Sequence, residues 1–152
     1  MITGSIGVRR SPTERMATTA KRVMCCGTFD YLHPGHLSFL EQAARLGTEL
    51  HVVIARDENV KRIKGVLPDH DEEQRRAMVG DVEVVDRALL GHPGSDFLRI
   101  VGEIDPKVIA LGYDQRAPEG LAESMPHCRI TVLKPHFPEK FKSSLYRRGH
   151  AG

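Results

Sequence analysis

Residues 26–40 read CGTFDYLHPGHLSFL. Two histidines, His33 and His36, stand three positions apart around Pro34-Gly35, directly after Gly27-Thr28-Phe29-Asp30. Imidazoles at that spacing lie on one face of a helical turn and can reach one small target together. Pro34 suits the first position of a helix, where its missing N–H costs nothing. The early amides of such a helix point outward and make a site for an anion such as phosphate. Gly27 lets the backbone turn tightly and approach a ligand closely. The chemistry on offer is phosphate binding, with backbone amides on one side and two imidazoles on the other. A metal site competes for the same pair, with Asp30 nearby, but zinc-binding helices place their histidines at i and i+4.

These residues need a strand before them and a helix behind them. Arg22–Cys26 reads as a short buried strand ending at Gly27. Over Leu37–Leu46, six apolar residues fill one half of a helical wheel, and Glu41, Arg45, Ser38 and Gln42 fill the other. Gly47 is placed to stop that helix. Glu49–Ala55 is an almost continuous apolar run, the pattern of a strand covered on both faces. Strand, helix and strand in so short a span form a βαβ unit with parallel strands. The alternation continues with a helix over Glu72–Val79, a strand over Val84–Leu90, and a helix over Asp96–Ile104. A strand over Val108–Leu111, a short helix over Glu119–Ser124 and a strand over Ile130–Leu133 follow. Ser143–Arg148 offers a terminal helix in a basic, turn-rich tail.

This order predicts a single α/β domain over 21–152, Rossmann-like and doubly wound, with a mostly parallel five-stranded sheet. In such sheets ligands sit beyond the carboxyl ends of the strands, where chain order reverses. The loop after the first strand, which holds both histidines, is the prime position.

Composition narrows the classes. A chain of 152 residues fits one sizeable core. Lys and Arg number 22 against 20 Asp and Glu, and with no dominant basic run this gives no reason to expect nucleic acid as a partner. No stretch approaches the length of a membrane span, so a soluble protein without membrane partners is expected. Cys25, Cys26 and Cys128 are the only cysteines. The adjacent pair would point to opposite faces of a strand as small buried side chains, so no disulfide framework is expected and a reducing cytoplasm is the natural home. Residues 1–20 lack an apolar run or a repeating period and read as a disordered leader. An organelle transit peptide fits less well, given Glu14.

Gly27-Thr28-Phe29-Asp30 with His33-Pro34-Gly35-His36 resembles the hallmark of the cytidylyltransferase-like nucleotidyltransferases. Further segments fall in step: Asp57-Glu58 with Lys64-Gly65, Glu73-Gln74-Arg75-Arg76, Val85-Asp86, Leu111-Gly112-Tyr113-Asp114-Gln115, and Lys142-Ser143-Ser144. The combination ARDENVKRIKG, EEQRRAMV and LGYDQ is most similar to the archaeal FAD synthase branch. The resemblance implies transfer of AMP from ATP to FMN, giving FAD and pyrophosphate, with a divalent cation, Mg²⁺, on the phosphates and a homodimeric assembly. It implies His33, His36, Lys64 and Arg75 as catalytic residues, with no protein metal ligand assigned. Thr28, Phe29, Pro34, Gly35, Asp114, Ser143 and Ser144 would complete the nucleotide site.

Plainer roles stand beside these. Lys64 and Arg75 also read as solvated charges, Asp114 as a turn residue, and Ser143 and Ser144 as helix caps. Phe137, Phe141 and Tyr146 read as packing aromatics, with flavin stacking as the alternative. A cytidylyltransferase making a CDP-alcohol from CTP and glycerol 3-phosphate would share the His-x-x-His machinery, but the Arg-Thr-x-Gly run of that branch is absent. A non-catalytic nucleotide-binding module is the alternative of another class.

Overall fold

The computed structural model describes residues 21–94 and 96–135. Five strands, β1 (Arg22–Gly27), β2 (Glu49–Ile54), β3 (Arg87–Leu90), β4 (Val108–Leu111) and β5 (Arg129–Val132), form one sheet in the order β3-β2-β1-β4-β5. Every neighbouring pair is parallel. Five helices connect or follow them: α1 (Pro34–Ala44), α2 (Asp57–Lys64), α3 (Glu72–Gly80), α4 (Phe97–Ile104) and α5 (Leu121–Ser124). The Rossmann-like α/β architecture expected from the apolar runs is present. Among the described residues no helix is long and apolar enough to cross a membrane, and all three cysteines are free thiols.

Side chains alternate across the sheet and build two cores. Val23, Cys25, Leu50, Val52 and Ile54 pack with Leu40, Ala43 and Ala44 of α1 and Val79 of α3 on one face. Met24, Val53, Ile109 and Leu111 pack with Ile100, Val101 and Ile104 of α4 and Leu121 of α5 on the other. Both faces are covered, which is why the central strands are apolar without alternation. At Gly47, which follows α1, an added Cβ would lie 2.3 Å from the Lys21 carbonyl oxygen, so only glycine fits that turn.

The first helix begins at Pro34, the position expected for that proline, with His33 as its N-cap. Two elements differ from the sequence expectation. β3 begins at Arg87, not Val84. There the Asp86 carboxylate accepts from Leu50 N–H at 2.8 Å, and Val84 and Val85 are buried in the turn before it. Helix α2 occupies a segment that carried no helical expectation. It has Asp57 and Glu58 in its first turn, Lys61, Arg62 and Lys64 in its last, and left-handed Gly65 as its cap. Those charges complement the helix dipole at both ends. The leader 1–20, the tail from 136, and with it Phe137, Phe141, Ser143, Ser144 and Tyr146, lie outside the described residues.

Candidate active site

The strand order places the topological switch between β1 and β4. The loops leaving their carboxyl ends are 28–33, which feeds α1, and 112–120, which feeds α5. A parallel sheet opens its binding crevice at this position. Gln115 spans the crevice floor. Its side-chain oxygen accepts from Gly112 N–H at 2.8 Å, and its amide nitrogen donates to the Cys26 carbonyl at 3.0 Å. Asp114 and Tyr113 stand exposed beside it.

Loop 28–33 is shaped from beneath. Phe29 is buried with φ +53, the left-handed region that few bulky residues adopt. Its ring covers Gly27, where a Cβ would come within 2.8 Å of Phe29 Cε2. Glycine at 27 is therefore the space the Phe29 ring needs. The same ring meets His36 edge to face, with centroids 5.2 Å apart.

His33 is the N-cap of α1, its Nδ1 accepting from Gly35 N–H at 3.1 Å. That acceptor role places the proton of the neutral ring on Nε2. The His33 and His36 rings stack with centroids 3.9 Å apart and planes 19° from parallel. Burial holds the His36 pKa down at about 4, with His33 and Lys64 pushing the same way against a hydrogen bond to the Tyr31 backbone. Burial also lowers the pKa of His33. Both rings are thus neutral at pH 7 in the ligand-free protein and present N–H donors without a fixed charge. The Gly35 amide, expected to point at a ligand, is spent on the cap.

A polar frame ties this loop to α2 and α3. Asp30, only 2% exposed, accepts from the backbone N–H groups of Asp69 at 2.8 Å and His70 at 2.9 Å. The His70 ring lies 3.1 Å from the same carboxylate, and the Tyr31 hydroxyl bonds the Asp69 carboxylate. The N-termini of α2 and α3 cap each other: Glu72 accepts from Asp57 N–H, and Asp57 accepts from Glu72 N–H.

Arg75 lies at the centre of this frame, fully buried. It donates to the His70 carbonyl at 3.0 Å, to the Thr28 carbonyl at 3.0 Å, and to Asp57 Oδ1 at 2.6 Å. Full burial excludes the solvated charge that the sequence also allowed. Its guanidinium holds the cradle loop from behind.

The structure gathers Thr28, Phe29, His33, Pro34, Gly35 and His36 into one loop and helix start. Lys64 ends α2 exposed, close enough for its charge to act on His36. Asp114 stands across the crevice on the β4 loop. The frame residues Asp30, His70, Glu72 and Gln115 carried no structural role in the sequence reading. The Asp71–Gln74 capping box that starts α3 was the one legible signal nearby. Among the described residues no group of three or more His, Cys, Asp or Glu side chains could hold a metal ion.

This combination of a parallel sheet, a capped histidine pair at the switch point and a cationic helix end defines a nucleotide-handling α/β protein. The cytidylyltransferase-like family model matches residues 24–149, and the chain belongs to that family. An FAD synthase of Halalkalicoccus jeotgali is 52% identical over 102 residues, spanning 67% of this chain and 70% of the relative. An FAD synthase of Haloferax volcanii is 55% identical over 121 residues, spanning 76% and 82%. Among solved structures, a lipopolysaccharide core biosynthesis protein from Thermoplasma volcanium superposes with a TM-score of 0.68 at 40% identity. That match covers 78% of this chain and 98% of the other.

Proposed function

We infer that the protein is an FAD synthase, a nucleotidyltransferase that joins the AMP unit of ATP to the phosphate of FMN and releases pyrophosphate. The observation that carries this reading is the stacked His33–His36 pair at the capped start of α1, on the switch point of a chain about half identical to FAD synthases.

The nucleophile is already a phosphate oxyanion, so no general base is needed to make it. The difficulty is electrostatic: two anions meet in line while charge builds on the leaving pyrophosphate. Positioning and charge stabilisation therefore do the catalysis. His33 and His36 donate N–H groups to the transferring and leaving phosphates. As negative charge gathers there the rings gain basicity, so the donors strengthen as the transition state forms. Lys64 neutralises the phosphate chain from the α2 end. Arg75 acts as a positioning residue, fixing the Thr28 carbonyl and hence the loop. Asp114 faces the ribose or base, and Ser143 and Ser144 supply further phosphate contacts from the tail.

A divalent cation, Mg²⁺ in this proposal, would supply charge neutralisation while riding on the triphosphate. The sparse carboxylates of the crevice fit an ion that keeps its waters and binds mainly through substrate oxygens. The free thiols fit a reducing cytoplasm, and a homodimer follows from the family resemblance. Incubating purified protein with ATP or CTP, each with FMN or glycerol 3-phosphate, tests the reading by product mass. FAD from ATP and FMN is expected; a CDP-alcohol as sole product, or nucleotide binding without pyrophosphate release, would overturn it.

A further inference from the structure

The loop joining α2 to α3 carries an apolar pair that no core contact explains. Val66 is 54% exposed and Leu67 55%, and Ile63 on the preceding turn is 75% exposed. Isolated apolar side chains on a surface are ordinary, but three within five residues form a patch with a use. Both ends of this loop are tied beside the histidine pair. The leading end is Lys64, whose charge reaches His36. The trailing end is pinned where Asp69 and His70 give their N–H groups to Asp30, and where Tyr31 holds Asp69. Tyr31 in turn bonds His36 through its backbone. The four residues between the anchors reach about 14 Å even fully stretched, so Val66 and Leu67 stay at the rim of the phosphate cradle.

We propose that Val66 and Leu67 form the apolar wall of the acceptor subsite, lying against the isoalloxazine ring of FMN. The inference rests on the FAD synthase reading, which requires an acceptor with a flat, largely apolar ring at one end and a phosphate dianion at the other. Lys61, Arg62 and Lys64, all exposed at the end of α2, supply charge complementary to that dianion. Ring and phosphate thus find apolar and cationic surface side by side. The loop is a specificity element: an acceptor without a ring gains nothing from it.

The test is the full chain carrying Val66→Ser with Leu67→Ser, beside a second variant with Val66→Ile and Leu67→Met. Both positions are solvent-exposed, and a thermal melt of each variant checks that it folds. Steady-state kinetics with ATP and FMN, FMN binding by flavin fluorescence, and sedimentation velocity are measured. In the serine variant the KM and Kd for FMN rise at least tenfold, while the KM for ATP stays within twofold and the sedimentation coefficient is unchanged. The Ile/Met variant keeps FMN constants near those of the parent. FMN constants within twofold of the parent in the serine variant would overturn the subsite, as would a change confined to oligomeric state, which would assign the patch to a second copy of the chain. FAD made equally well by parent and serine variant removes the subsite alone. No FAD from the parent protein removes the functional reading and the subsite with it.

Discussion

Lowering the pH of the ligand-free protein from 7.5 to 5.0 protonates His36 in the unfolded chain while the folded chain keeps the ring mostly neutral. The His36 pKa falls from an ordinary 6.5 to about 4, chiefly through burial. The unfolded chain therefore binds a proton that the folded chain refuses between those two values, and stability rises with pH across that window. The contribution is fully present above pH 6.5 and is lost as pH falls toward 4. At about 1.4 kcal/mol per unit the whole effect is about 3 kcal/mol, and at pH 5 about 2 kcal/mol is lost. Carboxylates titrate in the same range, so the assay is comparative. Urea unfolding is followed at pH 7.5 and 5.0 for the parent and for His36→Asn, which carries no titratable ring. The parent should lose about 2 kcal/mol more than the variant over that interval. Equal losses, or an NMR titration placing His36 at its ordinary value, would refute the electrostatic reasoning. On the proposed function ATP reverses the bias, because a triphosphate seated beside the rings would raise their pKa. Binding at pH 5.5 should therefore take up protons, visible by calorimetry in buffers of differing ionisation heat.

Three further outcomes follow from the same geometry. His36→Ala should lower turnover by about 10²–10³-fold with the fold intact, the usual loss for one preorganised donor; near-parental turnover would remove it from the site. Arg75→Met leaves the carbonyls of Thr28 and His70 and the Asp57 carboxylate without their shared donor. It should cost about 3–5 kcal/mol and depress Tm by about 10 °C in circular dichroism melts, and Lys at 75 should not restore it. Gly27→Ala drives a methyl into the Phe29 ring, which carries His36 on its edge. Turnover should fall on the order of 10²-fold, as a misplacement of about 1 Å costs elsewhere, with a much smaller change in Tm.

The fold was legible wherever burial on two faces wrote itself into apolar runs. β2 and β4 matched their expected spans closely, and so did α4, where Asp96 caps the helix as its position suggested. What escaped was set by polar contacts between distant residues. The shortening of β3 depends on where one Asp86 carboxylate goes. α2 buries only Val60, so its apolar periodicity is faint. Its dipole-matched charges and Gly65 were the available signal.

The histidine pair was readable because cap, proline and spacing are all local. Arg75 was not. Burial of a guanidinium depends on three partners 5, 18 and 47 residues away in the chain, and no local pattern carries that information. What the fold adds is a bond from the buried guanidinium to the Thr28 carbonyl, which ties Arg75 to the loop that carries the histidine pair.

The central claim is that the first strand-to-helix loop grips a triphosphate with its innermost phosphorus open to an incoming phosphate oxygen. A crystal of the protein with a non-hydrolysable α,β-methylene ATP and FMN tests it most directly. The imidazoles of His33 and His36 should lie within hydrogen-bond distance of the α- and β-phosphate oxygens, with an FMN phosphate oxygen in line behind the α-phosphorus. A triphosphate seated elsewhere, or both rings turned away from it, would contradict the account.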